Sequence, residues 1–143
     1  MPYEFLPKVA MADIAFRASG RSLEEVFAAA ADATMNVMVD NLESIQFRER
    51  RPFRLENVAL DLLLFDLLQE FIYHKDAERL LLRAGELRIT QVHGQWLLSG
   101  EGRGERLDQE RHHQRADVKA VTLHQFKLEA IPGGWLAQVI LDI

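Results

Sequence analysis

The sequence of 143 residues contains no cysteine. This absence excludes disulfide bonds, thiolate metal sites and cysteine nucleophiles. No uninterrupted apolar run approaches the length of about 18 residues that a membrane-spanning helix needs. The N-terminal segment MPYEFLPKVA has no basic region followed by a long apolar run, so we expect no signal peptide. These features together predict a soluble cytoplasmic protein.

Motifs for several kinds of catalysis and ligand binding are missing as well. The formal net charge of -5 and the absence of a long basic stripe argue against strong direct binding of nucleic acid. Neither H-x-x-x-H nor H-E-x-x-H occurs, so a zinc site is not expected. The serine-nucleophile motifs G-x-S-x-G and S-x-x-K are also absent. Gly100, Gly102 and Gly104 alternate in GEGRGE, which predicts a bent or bulged strand rather than a phosphate-binding loop.

Three of the five histidines occupy two kinds of sequence context. His112 and His113 are adjacent in ERHHQR, a run that is charged all round and predicts a solvated loop. His124 lies in an apolar strand-like run, on one face with Phe126 and Leu128. A lone histidine in such a run is more commonly a satisfied core residue than a ligand, so we predict that His124 belongs to the core.

Two segments show the 3.6-residue period of amphipathic helices. The first follows Ser22, which forms a capping box with Glu25, and extends to about Val39. The second follows Asn57, a plausible N-cap, and its apolar positions form a broad stripe over residues 60–72. Both patterns predict helices that bury one face in the core.

Strand patterns fill most of the remaining sequence. MADIAFRAS alternates with a period of two, as a half-buried strand does. SIQFRERRPFRLE also alternates, but Pro52 cannot donate to a ladder, so this segment predicts an edge strand or an interrupted hairpin. After residue 78 come four strand-like runs, RLLLRAGELRIT, QWLLSGEGRGERL, DVKAVTLHQFKLEA and GWLAQVILDI. The order predicts a single α+β domain over residues 1–143, with two amphipathic helices packed on an extensive mixed or antiparallel sheet.

Two acids are harder to explain as solvated surface residues. Asp13 lies inside a half-buried strand, and Asp142 lies at the tip of the last strand, beside the α-carboxylate of Ile143. If these strands are neighbours, three negative groups converge, and two unit charges about 4 Å apart repel by about 4 kcal/mol at an effective dielectric of about 20. A cation would relieve this repulsion, and oxygen ligands suit calcium or magnesium rather than zinc. The alternative is two separately solvated acids, and both interpretations stay open.

Six blocks of the sequence resemble the archease family. They are YEFL, ADIAFRA, SLEEVFAAAA, LLLFDLLQEFIY, VKAVTLH and GGWLAQVILDI, and they occur in the family's order from Tyr3 to Ile143. The last two blocks are the most specific. The resemblance implies a layered β-β-α sandwich.

Archeases assist RNA ligases of the RtcB type, which join a 2′,3′-cyclic phosphate or 3′-phosphate end to a 5′-hydroxyl end in tRNA splicing and RNA repair. The resemblance therefore implies a non-catalytic activator, not an enzyme, that promotes guanylylation and multiple turnover of such a ligase. It also implies a calcium site, whose ligands in this sequence are Asp13, Asp142 and the carboxylate of Ile143.

The sequence departs from the family pattern in two places. Ala10 and Met11 stand where archeases usually have His-Thr. The family's VT-Y-H-D is VTLHQF here, with Leu123 and Gln125. One polar neighbour of Asp13 and one further acid are therefore missing. Metal affinity could be weaker as a result, because outer partners orient metal ligands, and partner contacts could also differ.

Two other functions are compatible with the same residues. A metal-dependent hydrolase could use Asp13 and Asp142 with His124 as a base, although catalytic two-metal sites typically need more than two acids. A general chaperone-like adaptor would instead bind clients through a large apolar face. RNA ligation or hydrolysis without an added ligase would favour an enzyme.

Overall fold

A computed structural model of the chain describes residues 2–7 and 13–143. Its elements in chain order are β1 (Tyr3–Leu6), β2 (Asp13–Gly20), α1 (Leu23–Met38), a 3-10 turn (Leu42–Ser44), β3 (Glu49–Asn57), α2 (Leu60–Glu78), β4 (Leu80–Val92), β5 (Gln95–Arg106), β6 (Ala120–Ile131) and β7 (Gly134–Asp142). No helix in these two ranges is long and apolar enough to cross a membrane.

The strands form two antiparallel sheets, with the orders β1-β2-β7-β6 and β3-β5-β4. The predicted extensive sheet is therefore divided in two. Helix α1 contacts β2 and β7 of the first sheet and β4 of the second, and α2 contacts β6 of the first sheet and all strands of the second. Both helices thus join the two sheets around one hydrophobic core, and the predicted α+β class is confirmed.

Helix α1 begins with the predicted capping box. The Ser22 hydroxyl accepts a hydrogen bond from the Glu25 N–H at 3.1 Å, and the Glu25 carboxylate accepts one from the Arg21 N–H at 3.0 Å. These bonds satisfy two N–H groups at the helix start that have no partner within the helix. The helix ends at Met38, one residue before the predicted end.

Helix α2 begins later than predicted, and Asn57 is not its N-cap. Pairing with Trp96 holds Asn57 in an extended conformation as the last residue of β3. The helix starts at Leu60, and the N–H of Ala59 donates to the Asn57 side-chain oxygen at 3.1 Å. The predicted apolar stripe is nevertheless buried, through Leu63, Leu64, Leu67, Leu68, Phe71 and Ile72.

A helix side chain accepts a hydrogen bond from one edge strand of each sheet. The Ile89 N–H on edge strand β4 donates to the Glu24 carboxylate of α1 at 3.0 Å. The Val121 N–H on edge strand β6 donates to the Gln69 side-chain oxygen of α2 at 3.0 Å. Strand β3 is an edge strand, as Pro52 predicted. Covered or proline-interrupted edges discourage pairing with other chains.

The alternating glycines lie in β5 and allow close packing of that strand. A Cβ atom on Gly104 would lie 1.7 Å from the Leu81 carbonyl oxygen, which leaves no room for a side chain. The irregularity predicted near the glycines occurs in the neighbouring strand, where the register of β4 shifts between Ala84 and Leu87. The glycines therefore have a structural explanation and do not form a phosphate-binding loop.

Candidate functional site

The register of β2 and β7 places Asp13 directly opposite Asp142. Opposite residues of an antiparallel pair project from the same face, with Cβ atoms about 4.5–5.5 Å apart. On its other side Asp142 is paired with Ala120 of β6. The strand adjacency on which the two-acid site depended is therefore present in the structure.

The two aspartates of this pair are accessible to solvent, and a backbone hydrogen bond holds the end of β7 in place. Both Asp13 and Asp142 are partly exposed, so solvent or a ligand can reach them. The Asp142 carbonyl accepts a hydrogen bond from the Lys119 N–H at 2.8 Å, which fixes the end of β7 against β6. Ile143 is partly buried, and its side chain packs against the hydrophobic core. Strand β7 ends at Asp142, so the Ile143 main chain lies next to Asp142 just beyond the strand.

The predicted metal environment extends beyond the two aspartates. Ala10 and Met11, which replace the family's His-Thr, lie outside the described residues. Within residues 2–7 and 13–143, no group of three or more His, Cys, Asp or Glu side chains is arranged to hold a metal ion. A cation at the aspartate pair would therefore need oxygen ligands beyond the two side chains, such as a main-chain carboxylate or waters.

Two hydrogen bonds connect β2, on the face that carries Asp13, to an irregular part of β6. Arg17 donates to the Gln138 side-chain oxygen at 3.2 Å, and the Gln138 amide donates to the Gln125 carbonyl at 3.2 Å. Gln125 has a φ of 51°, and the register with β7 shifts between Thr122 and Lys127. The bonds to Gln138 therefore hold a bulge whose backbone is strained for a non-glycine residue.

His124 lies in this bulge and is exposed, so the prediction of a core histidine was wrong. The pattern of alternation assumed a regular strand, but the bulge moves residues 123–125 away from the regular ladder. Leu123 is 60% exposed for the same reason. Phe126, the first residue after these three, packs against Phe65 of α2.

The prediction for His112 was also wrong, because its side chain is buried. It is 2% exposed, and the Asp108 N–H donates to its Nδ1 at 2.8 Å. The Nε2 atom lies 2.9 Å from the Glu105 carboxylate, so these partners assign the proton to Nε2. Glu105, on β5, also accepts hydrogen bonds from the Gln46 N–H at 2.7 Å and from Arg111. A buried acid at the end of β5 thus anchors the loop that the charged sequence ERHHQR suggested was solvated.

Glu105→Gln is expected to lower the free energy of unfolding by about 2 kcal/mol at neutral pH, because buried hydrogen bonds to a charged group each contribute about 1.5–3 kcal/mol. Burial alone would raise the pKa of Glu105, but the hydrogen bonds from Gln46, Arg111 and His112 lower it below its ordinary value of 4.5. The stabilisation is therefore complete above pH 4.5 and is lost as the pH falls through the lowered pKa. Denaturation curves of both proteins between pH 7 and pH 3 measure it. A difference that persists unchanged in acid contradicts the assigned role of the charge.

Comparison with known sequences identifies the family. The model of the Archease protein family matches residues 3–143. Protein archease of Pyrococcus abyssi is 38% identical over 133 residues, which cover 92% of this chain and 93% of that protein. Protein archease of Methanopyrus kandleri is 31% identical over 143 residues and 100% of each chain.

Solved structures agree with the sequence comparison. The solution structure of protein 1598 of Methanobacterium thermoautotrophicum matches with a TM-score of 0.85 and 32% identity over 99% of each chain. The crystal structure of an archease from Thermotoga maritima, described as a possible chaperone, has a TM-score of 0.65 at 21% identity over 96% of each chain, and so shares the fold. The chain described here therefore belongs to the archease family.

Proposed function

We propose that this protein is a non-catalytic activator of an RtcB-type RNA ligase, and that it promotes guanylylation and multiple turnover of that ligase in tRNA splicing or RNA repair. The observation that carries the proposal is the family match over residues 3–143, together with the pairing of Asp13 and Asp142. The family resemblance had assigned these two residues to one site, and they are direct neighbours in the sheet.

The same proposal includes a calcium ion at the aspartate pair. Two carboxylates on one face of the sheet supply hard oxygen ligands, and the positive ion would offset their mutual repulsion. Asp13 and Asp142 would hold the ion, and the carboxylate of Ile143 is the third proposed ligand. Waters would complete the six to eight oxygens that calcium takes in proteins. The ion would supply positive charge at a surface that otherwise presents two acids to a partner.

A binding experiment with purified components tests the partner. The protein, immobilised through a surface residue far from β2 and β7, should retain the RtcB-type ligase of its own organism in the presence of calcium. Addition of this protein should then increase the fraction of ligase that carries a covalent guanylate. Failure to retain the ligase, with no change in guanylylation over a range of protein concentrations, would contradict the proposal.

A further inference from the structure

The three-stranded sheet has a polar face of its own, on a different sheet from the one that carries the aspartate pair. Arg54 of β3 is directly opposite Ser99 of β5, and Ser99 is directly opposite Arg88 of β4. All three residues are exposed, whereas the adjacent Phe53 and Leu98 are buried on the opposite face. Strands in a sheet lie about 4.8 Å apart, so the two arginines flank the serine with Cα atoms about 10 Å from each other. We call these three residues the arginine row.

The exposed Glu56 lies two residues from Arg54 on the same face, but it forms no ion pair with either arginine of the row. Within the described residues, neither Arg54 nor Arg88 forms an ion pair. On the same face, Arg50 and Arg103 both pair with Glu101, at 3.9 and 3.0 Å, so that acid already has two cationic partners. Two guanidinium groups and one hydroxyl thus face solvent with donors available. Guanidinium groups bind phosphate oxygens in pairs, and a serine hydroxyl between them adds a third donor.

Arg54 and Ser99 of the arginine row border a cavity of about 580 Å³ that is large enough for more than an inorganic ion, and Arg88 lies beside it, directly opposite Ser99. The next row of the same face consists of Glu56, Leu97 and Thr90, again in direct register. It offers a carboxylate acceptor and a hydroxyl on either side of a partly buried apolar side chain. Hydrogen-bond donors for a phosphate group therefore lie beside groups that can bind sugar hydroxyls and an apolar ring.

We propose that this face binds the phosphate group of a ribonucleotide through Arg54, Arg88 and Ser99, with Glu56 and Thr90 contacting its sugar hydroxyls. The phosphate could belong to a free nucleotide or to an RNA end, because both carry the same recognised chemistry. The site uses a different sheet from the aspartate pair. It does not depend on the proposed ligase partner.

An NMR titration of the isolated protein at low salt tests this site, since screening by added salt weakens exposed charge interactions. The probes are adenosine monophosphate, a short RNA with a 3′-phosphate, and adenosine. We expect saturable shifts of the Arg54, Arg88 and Ser99 amide signals with at least one phosphorylated probe, and none with adenosine. Binding of the mononucleotide alone would identify a free nucleotide as the ligand, and binding of the RNA alone would identify an RNA end.

Variants separate the proposed contacts from general charge effects. Arg54→Ala and Arg88→Ala should each weaken binding about tenfold, because each removes charge-assisted hydrogen bonds, and the double variant should abolish it. Arg21→Ala removes the same charge from an exposed position before α1 and should leave binding unchanged. No saturable shift with either phosphorylated probe, equal binding of adenosine, or full binding by the double variant would overturn the proposal.

Discussion

Leu64→Asp is expected to lower the free energy of unfolding by more than about 3 kcal/mol, which is a large part of the stability of a typical domain. The Leu64 side chain in α2 is 0% exposed and belongs to the hydrophobic core. An aspartate there would bury a carboxylate without a hydrogen-bond partner or counter-ion. The denaturation midpoint in urea, compared with that of the unsubstituted protein, measures the loss.

The matched control for this substitution lies two residues away on the same helix. Leu62 is 36% exposed and lies in the first turn of α2, where a negative charge interacts favourably with the helix dipole. Leu62→Asp should therefore cost about 1 kcal/mol or less. Equal midpoints for the two variants would mean that the buried stripe of α2 does not hold the two sheets together.

Asp13→Asn and Asp142→Asn are each expected to weaken calcium binding by a factor of at least about ten, since each removes a charged ligand from a site that has few. Calcium should also raise the melting temperature of the unsubstituted protein, because a ligand that binds only the folded state stabilises it. Extension of the chain beyond Ile143 would replace the carboxylate with an amide carbonyl and should weaken binding too. Calorimetric titration and thermal melting in calcium measure both effects.

Glu129→Gln provides the control for loss of one negative charge from the same sheet. Glu129 is exposed on β6 and is paired with Leu136, away from the Asp142 end of β7. Its removal should leave calcium affinity unchanged. If Asp13→Asn and Asp142→Asn bind calcium as tightly as the control does, the metal has no place at the aspartate pair, and the two acids become candidates for direct contact with the ligase.

The helices could be predicted from the sequence because their signals are local. Ser22 and Glu25 are three residues apart, and the leucine stripe of α2 repeats within a few turns, so short windows contain the information. The Asn57 error has a local cause as well. Asparagine is a favoured N-cap, so its position before the leucine stripe predicted a helix start. Only the pairing of Asn57 with Trp96 shows that β3 extends to this residue.

The candidate site depends on longer-range choices that alternation does not specify. The alternating pattern predicted which residues share a face of β2. It could not predict that β2 pairs with β7, which places Asp13 opposite Asp142 at the other end of the sequence. The burial of His112 similarly depends on Glu105, which lies on a different element. His124 was misplaced because a bulge interrupts the period of two on which the prediction rested. The sequence therefore indicated the residue types of the site, whereas their proximity came from the topology.

The most direct test of the proposed function is a multiple-turnover ligation assay with the RtcB-type ligase from the same organism. Ligase is held at a concentration far below that of an RNA substrate with 3′-phosphate and 5′-hydroxyl ends, and products per ligase molecule are counted with and without this protein. We predict that substoichiometric amounts raise the count well above one per ligase, that Asp142→Asn reduces the effect, and that the protein alone joins no ends. An unchanged number of products per ligase at every concentration of the protein, or ligation without the ligase, would contradict the proposed function.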